Sequence, residues 1–210
     1  MIRHRLTALL LGLAAIGCSG HRPSPAPSST PLAQAGQSLP ASNPFARPSG
    51  LQYEAPPFNR IRNQDYQPAI EEGMRQQEAE WEAIARESSG PTFENTIVAL
   101  DRSGELLTRV NRVFGAVVQA NTNDTLQQVQ TTEAPKLAAH YDALYLNPEI
   151  FRRVQAVYGR RTSLAPEQKA LVERYQRNFI RAGAQLSEAD KGQLRKLNQE
   201  EASLATSFQN

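Results

Sequence analysis

The sequence predicts an all-α protein, a bundle of about six helices that follows an export signal and an unstructured linker. Three observations carry that prediction. After residue 50, apolar residues recur at alternating spacings of three and four, the period of a helix with one buried face. Helix starts are marked by Asp65, Thr92, Asn147 with Pro148, and Ser187, and stops by Gly90, Gly159 and Gly183. No segment shows the period-two alternation of a half-buried strand.

Asp65 is placed to cap a first helix that has Pro68 in its opening turn, buries Ile70, Met74, Trp81 and Ile84, and stops at Ser88, Ser89 and Gly90. Thr92 caps a long second helix from Phe93. Its stripe of Ile97, Leu100, Gly104, Leu107, Asn111, Phe114 and Val118 is interrupted by Gly104 and Asn111. This helix ends near the polar turn Asn121 to Asp124, and a third runs from Thr125 to Tyr145, where Pro135 should kink or break it. Asn147 and Pro148 start a short fourth helix ending at Gly159. The fifth begins at Pro166, shares one face among Leu171, Tyr175, Phe179 and Ala182, and stops at Gly183. Ser187 and Asp190 form a capping box for the last, whose stripe is Leu194, Leu197, Leu204 and Phe208.

The N-terminus reads differently. Arg3, His4 and Arg5 form a basic region ahead of an apolar run from Leu6 to Ile16, too short to span a bilayer as a helix, so residues 1–17 read as a secretion signal. The small residue Gly17 before Cys18, with Ala15 and Ile16 ahead of it, resembles a bacterial lipobox. That resemblance implies that Cys18 becomes the lipidated first residue of an exported protein held in the cell envelope, and Ser19 after it favours the outer membrane. Several acyl chains anchor firmly, since each buried methylene contributes about 0.8 kcal/mol. Residues 18–50 carry Pro23, Pro25, Pro27, Pro31, Pro40, Pro44 and Pro48 among serines and alanines, a composition that reads as a tether. As a coil it would span roughly 30 Å. Residues 51–210 are then the helical body, long enough to bury about two-thirds of its unfolded surface.

Charge excludes a nucleic-acid partner. Taking Arg3 and Arg5 from 23 basic residues leaves 21, equal to the 21 acidic ones. Arg152, Arg153, Arg160 and Arg161 make one local basic cluster, for which ion pairing within the body is the favoured reading over recognition of a substrate carboxylate. No catalytic constellation is legible. The single cysteine belongs to the export signal, which removes a thiol nucleophile and any disulfide. No GxSxG turn or phosphate-binding glycine loop is present. Acidic pairs such as Glu71 with Glu72 and Glu200 with Glu201 lie in charged helical runs and read as solvated surface. Of the histidines, His4 lies in the signal and His21 in the linker, leaving His140 alone on a helix as a packing or surface residue. The expected catalytic and metal-binding sets in this chain are both empty.

Five segments in order nevertheless resemble one family. "PPFNRIRNQDYQPAIEEGM" from Pro56, "PTFENTIVALDRSGELLTRV" from Pro91 and "PKLAAHYDALYLNPEIFRRVQAVY" from Pro135 are followed by "EQKALVERYQRNFIRAGAQL" from Glu167 and "KLNQEEASLATSFQN" from Lys196. Together they resemble the N-terminal region of the M3 zinc metallopeptidases, in the bacterial peptidyl-dipeptidase and oligopeptidase A branch. The resemblance implies cleavage of short peptides by one zinc, held by two histidines of an HExxH helix and a downstream glutamate, with the HExxH glutamate as general base. This chain contains no HExxH. The resemblance therefore implies a channel-walling helical portion whose partner is a catalytic portion beyond Asn210, with zinc in the full-length enzyme and short peptides as substrates. The last stripe, which runs to Phe208 without a glycine or proline stop, is read as a truncation. The alternative is a stand-alone, non-catalytic helical lipoprotein acting as a binding or structural module.

Overall fold

Six helices of at least 12 residues, joined by short turns, build the body in the computed structural model, which describes residues 39–209. Among the described residues there is no strand. The signal at residues 1–17, Cys18, and the tether as far as residue 38 lie outside the described residues.

Helix α1 (Tyr66–Arg86) buries Ile70, Met74, Trp81 and Ile84 as the spacing predicts. Its start differs in detail. Asp65 does not cap the helix with its side chain; Oδ2 turns back to accept from the Arg62 amide at 2.7 Å, closing the 3₁₀ turn Asn63–Asp65. A π-helical turn, Phe93–Val98, runs into the short α2 (Ala99–Arg102). Thr92 caps it as expected: Oγ1 accepts from the Asn95 amide at 3.0 Å, and Asn95 Oδ1 accepts from the Thr92 amide at 2.7 Å.

The predicted single helix from Phe93 to Asn121 is two. The chain turns at Ser103 and Gly104, the latter at φ +74°, before α3 (Glu105–Asn121) begins. The left-handed backbone suits glycine, and a Cβ there would meet Gln77 Nε2 at 2.2 Å. The break resets the register, so α3 buries Leu106, Leu107, Val110 and Val113, while Asn111, Phe114 and Val118 are only partly covered. Helix α4 (Asp124–Tyr145), capped by Asn123 Oδ1 on the Leu126 amide at 3.1 Å, runs through Pro135 without breaking. Helix α5 (Pro148–Gly159) begins as expected, with Asn147 Oδ1 accepting from the Glu149 and Ile150 amides at 2.9 and 3.1 Å. Helices α6 (Pro166–Arg181) and α7 (Glu188–Gln209) complete the bundle.

Two apolar cores share two helices, α1 and α4. The first half of α1 packs with α3 and the start of α4 around Tyr66, Ile70, Leu107 and Leu126. The second half packs with α2, α5, α6 and the end of α4 around Trp81, Ile97, Ile150 and Phe179. At Gly73, α1 approaches α3 so closely that a Cβ would stand 2.9 Å from the Leu107 backbone.

Residues 39–50, assigned by composition to the tether, pack on this body. Phe45 is buried in the first core against Tyr66, ring centroids 5.5 Å apart. Asn43 Nδ2 donates to the Asp65 carbonyl at 3.0 Å, and Arg109 Nη2 to the Phe45 carbonyl at 3.0 Å. The prolines that forbid a helix here leave a strap of successive turns, closed by the Asn43 amide on the Pro40 carbonyl at 2.9 Å and the Ala46 amide on the Asn43 carbonyl at 3.0 Å, and one aromatic side chain is enough to seat it.

Candidate functional site

Helix α7 departs from its predicted packing. It lies along α4, but through the polar and small side of the helix: Lys191 and Thr206 are buried, and Asn198 Nδ2 donates to Asp142 Oδ1 of α4 at 2.7 Å. Lys191 Nζ is held by Glu188 at 2.9 Å, and Thr206 Oγ1 bonds its own helix at the Ala202 carbonyl. The apolar stripe faces outward instead. Leu197, Leu204 and Phe208 are 61, 63 and 94% exposed, with Leu194 only partly covered. They fall on one side of the helix because seven and four residues separate them. Half of the capping box expected at the start of α7 is present: Asp190 N donates to Ser187 Oγ at 3.2 Å, but Asp190 Oδ2 accepts from the Ser187 hydroxyl at 2.7 Å instead of from the Ser187 amide.

The four arginines do not converge. Arg152 pairs with Glu149 on the surface of α5 at 2.8 Å. Arg153, one residue on, points inward and is buried, donating to the carbonyls of Glu87 and Ser89 at 2.8 and 3.3 Å and to Asn95 Oδ1 at 3.1 Å. Arg160 donates to the Pro91 carbonyl. Arg161 lies over the Tyr158 ring, 3.9 Å from its centroid, and 3.4 Å from Glu173. Arg153, Arg160 and Arg161 tie the α5 region to its neighbours, while Arg152 forms an exposed pair within α5 itself.

The acidic pairs separate likewise. Glu200 and Glu201 are exposed, whereas Glu72 is buried and accepts from Arg75 at 2.7 Å and Gln76 at 2.8 Å. Glu71 meets Lys136 and, through it, Glu133, an α4 carboxylate buried in the α1–α4 contact at 2.9 Å from Lys136 Nζ. Burial raises the Glu133 carboxyl above its ordinary 4.5, with Lys136 opposing and Glu71 reinforcing. Burial also acts to raise Glu71, but Lys136 outweighs it and holds that carboxyl low.

The signs give a prediction. A carboxyl raised in the fold holds its proton where the unfolded chain has released it, so Glu133 costs stability as pH climbs from 4.5 through its raised value. Glu133→Gln should remove that pH-dependent cost, so its stability relative to the parent should rise as pH climbs from acid toward about 8. That gain should vanish toward acid pH, and thermal denaturation of both proteins across pH would expose a gain that did not depend on pH.

His140 is a packing residue, as expected, but a polar one. It is 2% exposed and stacked on Trp81, ring centroids 4.4 Å apart, with Nε2 at 2.8 Å from Gln77 Oε1 and Nδ1 at 3.1 Å from Glu78 Oε1. Burial pulls the imidazole below its ordinary 6.5, and Glu78 pulls it back. A shallow groove outside this contact is lined by Arg75, Glu78, Glu82, Arg86 and Glu149, whose charges are of both signs. Arg75 is held by Glu72 and Arg86 by Glu82. The sequence reading missed Gln77 and Glu78, which lie 63 and 62 residues from their partner.

Comparison with known proteins gives two extensive matches. The chain is 48% identical over 168 residues to a dipeptidyl carboxypeptidase of Escherichia coli (strain K12). That match takes in 79% of this chain and 25% of the relative. It is 44% identical over 170 residues to a dipeptidyl carboxypeptidase of Salmonella typhimurium (strain LT2), taking in 80% and 25%. The resemblance to the M3 peptidases is shown. The chain spans about a quarter of the length of these curated relatives. No protein-family model matches it.

The M3 resemblance implies a zinc ion, for which the described residues offer no ligand set. Among the described residues no group of three or more histidines, cysteines, aspartates and glutamates is arranged to hold a metal ion. Both ring nitrogens of His140 are already engaged. These residues do not fit a zinc site, and no chemical step can be assigned to them through one.

Proposed function

We propose that this chain is the helical N-terminal portion of an exported, lipid-anchored M3 peptidase that hydrolyses short peptides, releasing dipeptides or cutting internally. The observation that carries the reading is the 48% identity over 168 residues to a dipeptidyl carboxypeptidase. In this reading the body walls the substrate channel, and the zinc and general base lie in a catalytic portion that packs against it. The exposed row of Leu197, Leu204 and Phe208 supports that role, because apolar side chains aligned on one helix face mark a surface made to be covered. Export and anchoring rest on the Leu6–Ile16 run and on Cys18.

The test is to isolate the native polypeptide that contains this sequence, measure its intact mass, and assay release of C-terminal dipeptides from short blocked peptides with and without a chelator. A mass between three and four times 23.2 kDa is expected, since the matched 168 residues are 79% of this chain and 25% of the relative. Chelator-sensitive hydrolysis is expected with it. A native mass no greater than 23.2 kDa with no hydrolysis would overturn the reading in favour of a stand-alone helical binding module. Labelling of Cys18 by a fatty-acid probe decides the anchor separately.

A further inference from the structure

The polar contact around His140 lies on α1 between Met74 of one core and Ile84 of the other, and its hydrogen count can be worked out atom by atom. Gln77 Nε2 donates to the Ser103 carbonyl oxygen at 3.2 Å, an atom that only accepts, so the orientation of the amide is fixed. Gln77 therefore turns its oxygen to His140, and Nε2 of the imidazole must carry a hydrogen. Ser103 is itself placed by Trp81, whose Nε1 donates to its hydroxyl at 2.9 Å, and by the Leu100 carbonyl, which accepts from that hydroxyl at 2.8 Å. With Nε2 protonated, Nδ1 of a neutral ring would aim a lone pair at the Glu78 oxygen 3.1 Å away. Two acceptors cannot bond, so this contact exists only when the pair holds one proton more than a neutral imidazole and an ionised carboxylate hold together.

We propose that the His140–Glu78 contact is a proton-operated latch between α4 and α1, closed while the pair holds that extra proton and opened, with Glu78 turning into solvent, when the proton leaves. The two sides of the ring are built differently for this. Gln77 is held by Ser103 and stays bonded in either state, whereas the Glu78 side chain is 53% exposed and can reach water without unpacking a core. Burial makes the second proton harder to hold, which puts closure on the acid side of the ordinary histidine value, and Glu78 moves closure back toward neutrality.

The surroundings add little charge of their own. Tyr141 of α4 sits edge-on at 5.5 Å, and burial raises its phenol, so it stays neutral. Arg75, Glu82 and Arg86 of α1 and Glu149 of α5, which line the groove beside Glu78, are paired as Arg75 with Glu72, Arg86 with Glu82 and Glu149 with Arg152. The folded imidazole binds its proton less readily than the unfolded one, so acid weakens the fold even as it closes the latch. Because α7 lies along α4, the latch bears on the seating of the exposed α7 face relative to α1.

The chain carries its own reporter, since Trp81 is its one tryptophan and stacks on the ring that titrates. A protonated imidazole in contact with indole quenches its emission more strongly than a neutral one. In the full chain, Trp81 emission should fall with acid in a one-proton transition whose midpoint lies below 6.5. Ring ¹⁵N shifts should show Nδ1 titrating while Nε2 keeps its hydrogen throughout. Glu78→Gln, at a half-exposed position that leaves both cores intact, should move that midpoint lower. His140→Gln should abolish the transition.

An unchanged midpoint in Glu78→Gln would overturn the latch, as would Nε2 titrating in place of Nδ1. So would a wild-type emission that stays flat between about pH 4.5 and 8. If His140→Gln fails to fold, the ¹⁵N shifts and the Glu78→Gln midpoint still decide the matter.

Discussion

Phe45→Ala is expected to cost the body about 3–5 kcal/mol, the range for removing a buried aromatic ring. Phe45 is 3% exposed and heads a chain of rings, with Tyr66 at 5.5 Å and Phe114 beyond it at 5.2 Å. Its backbone is held on both sides, the amide donating to Asn43 Oδ1 at 2.9 Å and the carbonyl accepting from Arg109. Truncating the ring therefore opens a cavity that the pinned strap cannot collapse to fill. Arg47→Ala, two residues along the same strap but exposed, should change stability by no more than about 0.5 kcal/mol. Urea denaturation of the three proteins separates the cases, and a loss below about 1 kcal/mol for Phe45→Ala would show the strap to be dispensable.

Arg153→Leu should cost about 2–5 kcal/mol, summed over the acceptors it strands at about 1–3 kcal/mol each. The guanidinium gathers the Glu87 and Ser89 carbonyls where the chain leaves α1, and reaches Asn95 at the start of the next turn. Asn95 keeps the Thr92 amide as a donor, so the two carbonyls bear most of the loss. Lysine should not rescue, because one ammonium cannot reproduce the fan of a planar guanidinium. Arg152→Ala, which breaks only the exposed pair with Glu149, should change stability by less than about 1 kcal/mol. Equal effects at the two neighbouring positions would refute this division of roles.

These residues mark how far the sequence could be read. The starts at Thr92, Asn147 and Ser187 were legible because a cap is a contact between residues two or three apart. The break at Gly104 was not, since a three-four stripe passes through a glycine whether the helix bends there or ends; what ends it is a left-handed φ fitted around Gln77 of another helix. Phe45 was hidden by its setting, one anchor within a composition that otherwise forbids a core. The arginines of α5 could be seen as a cluster but not sorted, because the acceptors of Arg153 lie 58 to 66 residues away.

Helix α7 marks a different boundary. Its spacing correctly announced an apolar face, and spacing says nothing about what meets that face. The side turned to α4 is the one where Asn198 finds Asp142 and where small Ala202 and Thr206 let the helices approach. The family resemblance was legible in the sequence because it lies in residue identity and not in geometry.

One uninterrupted helix contributes Tyr66 to Met74 to one core and Trp81 to Ile84 to the other. α4 spans them in the same way, its start in one core and its end in the other, so melting either core would leave half of each of these two helices as an isolated helix of two or three turns, a length that is marginal in water. Neither half can serve as a separate foldon. Slow amide exchange along α1 should accordingly show one common opening free energy from end to end, equal to that of global unfolding.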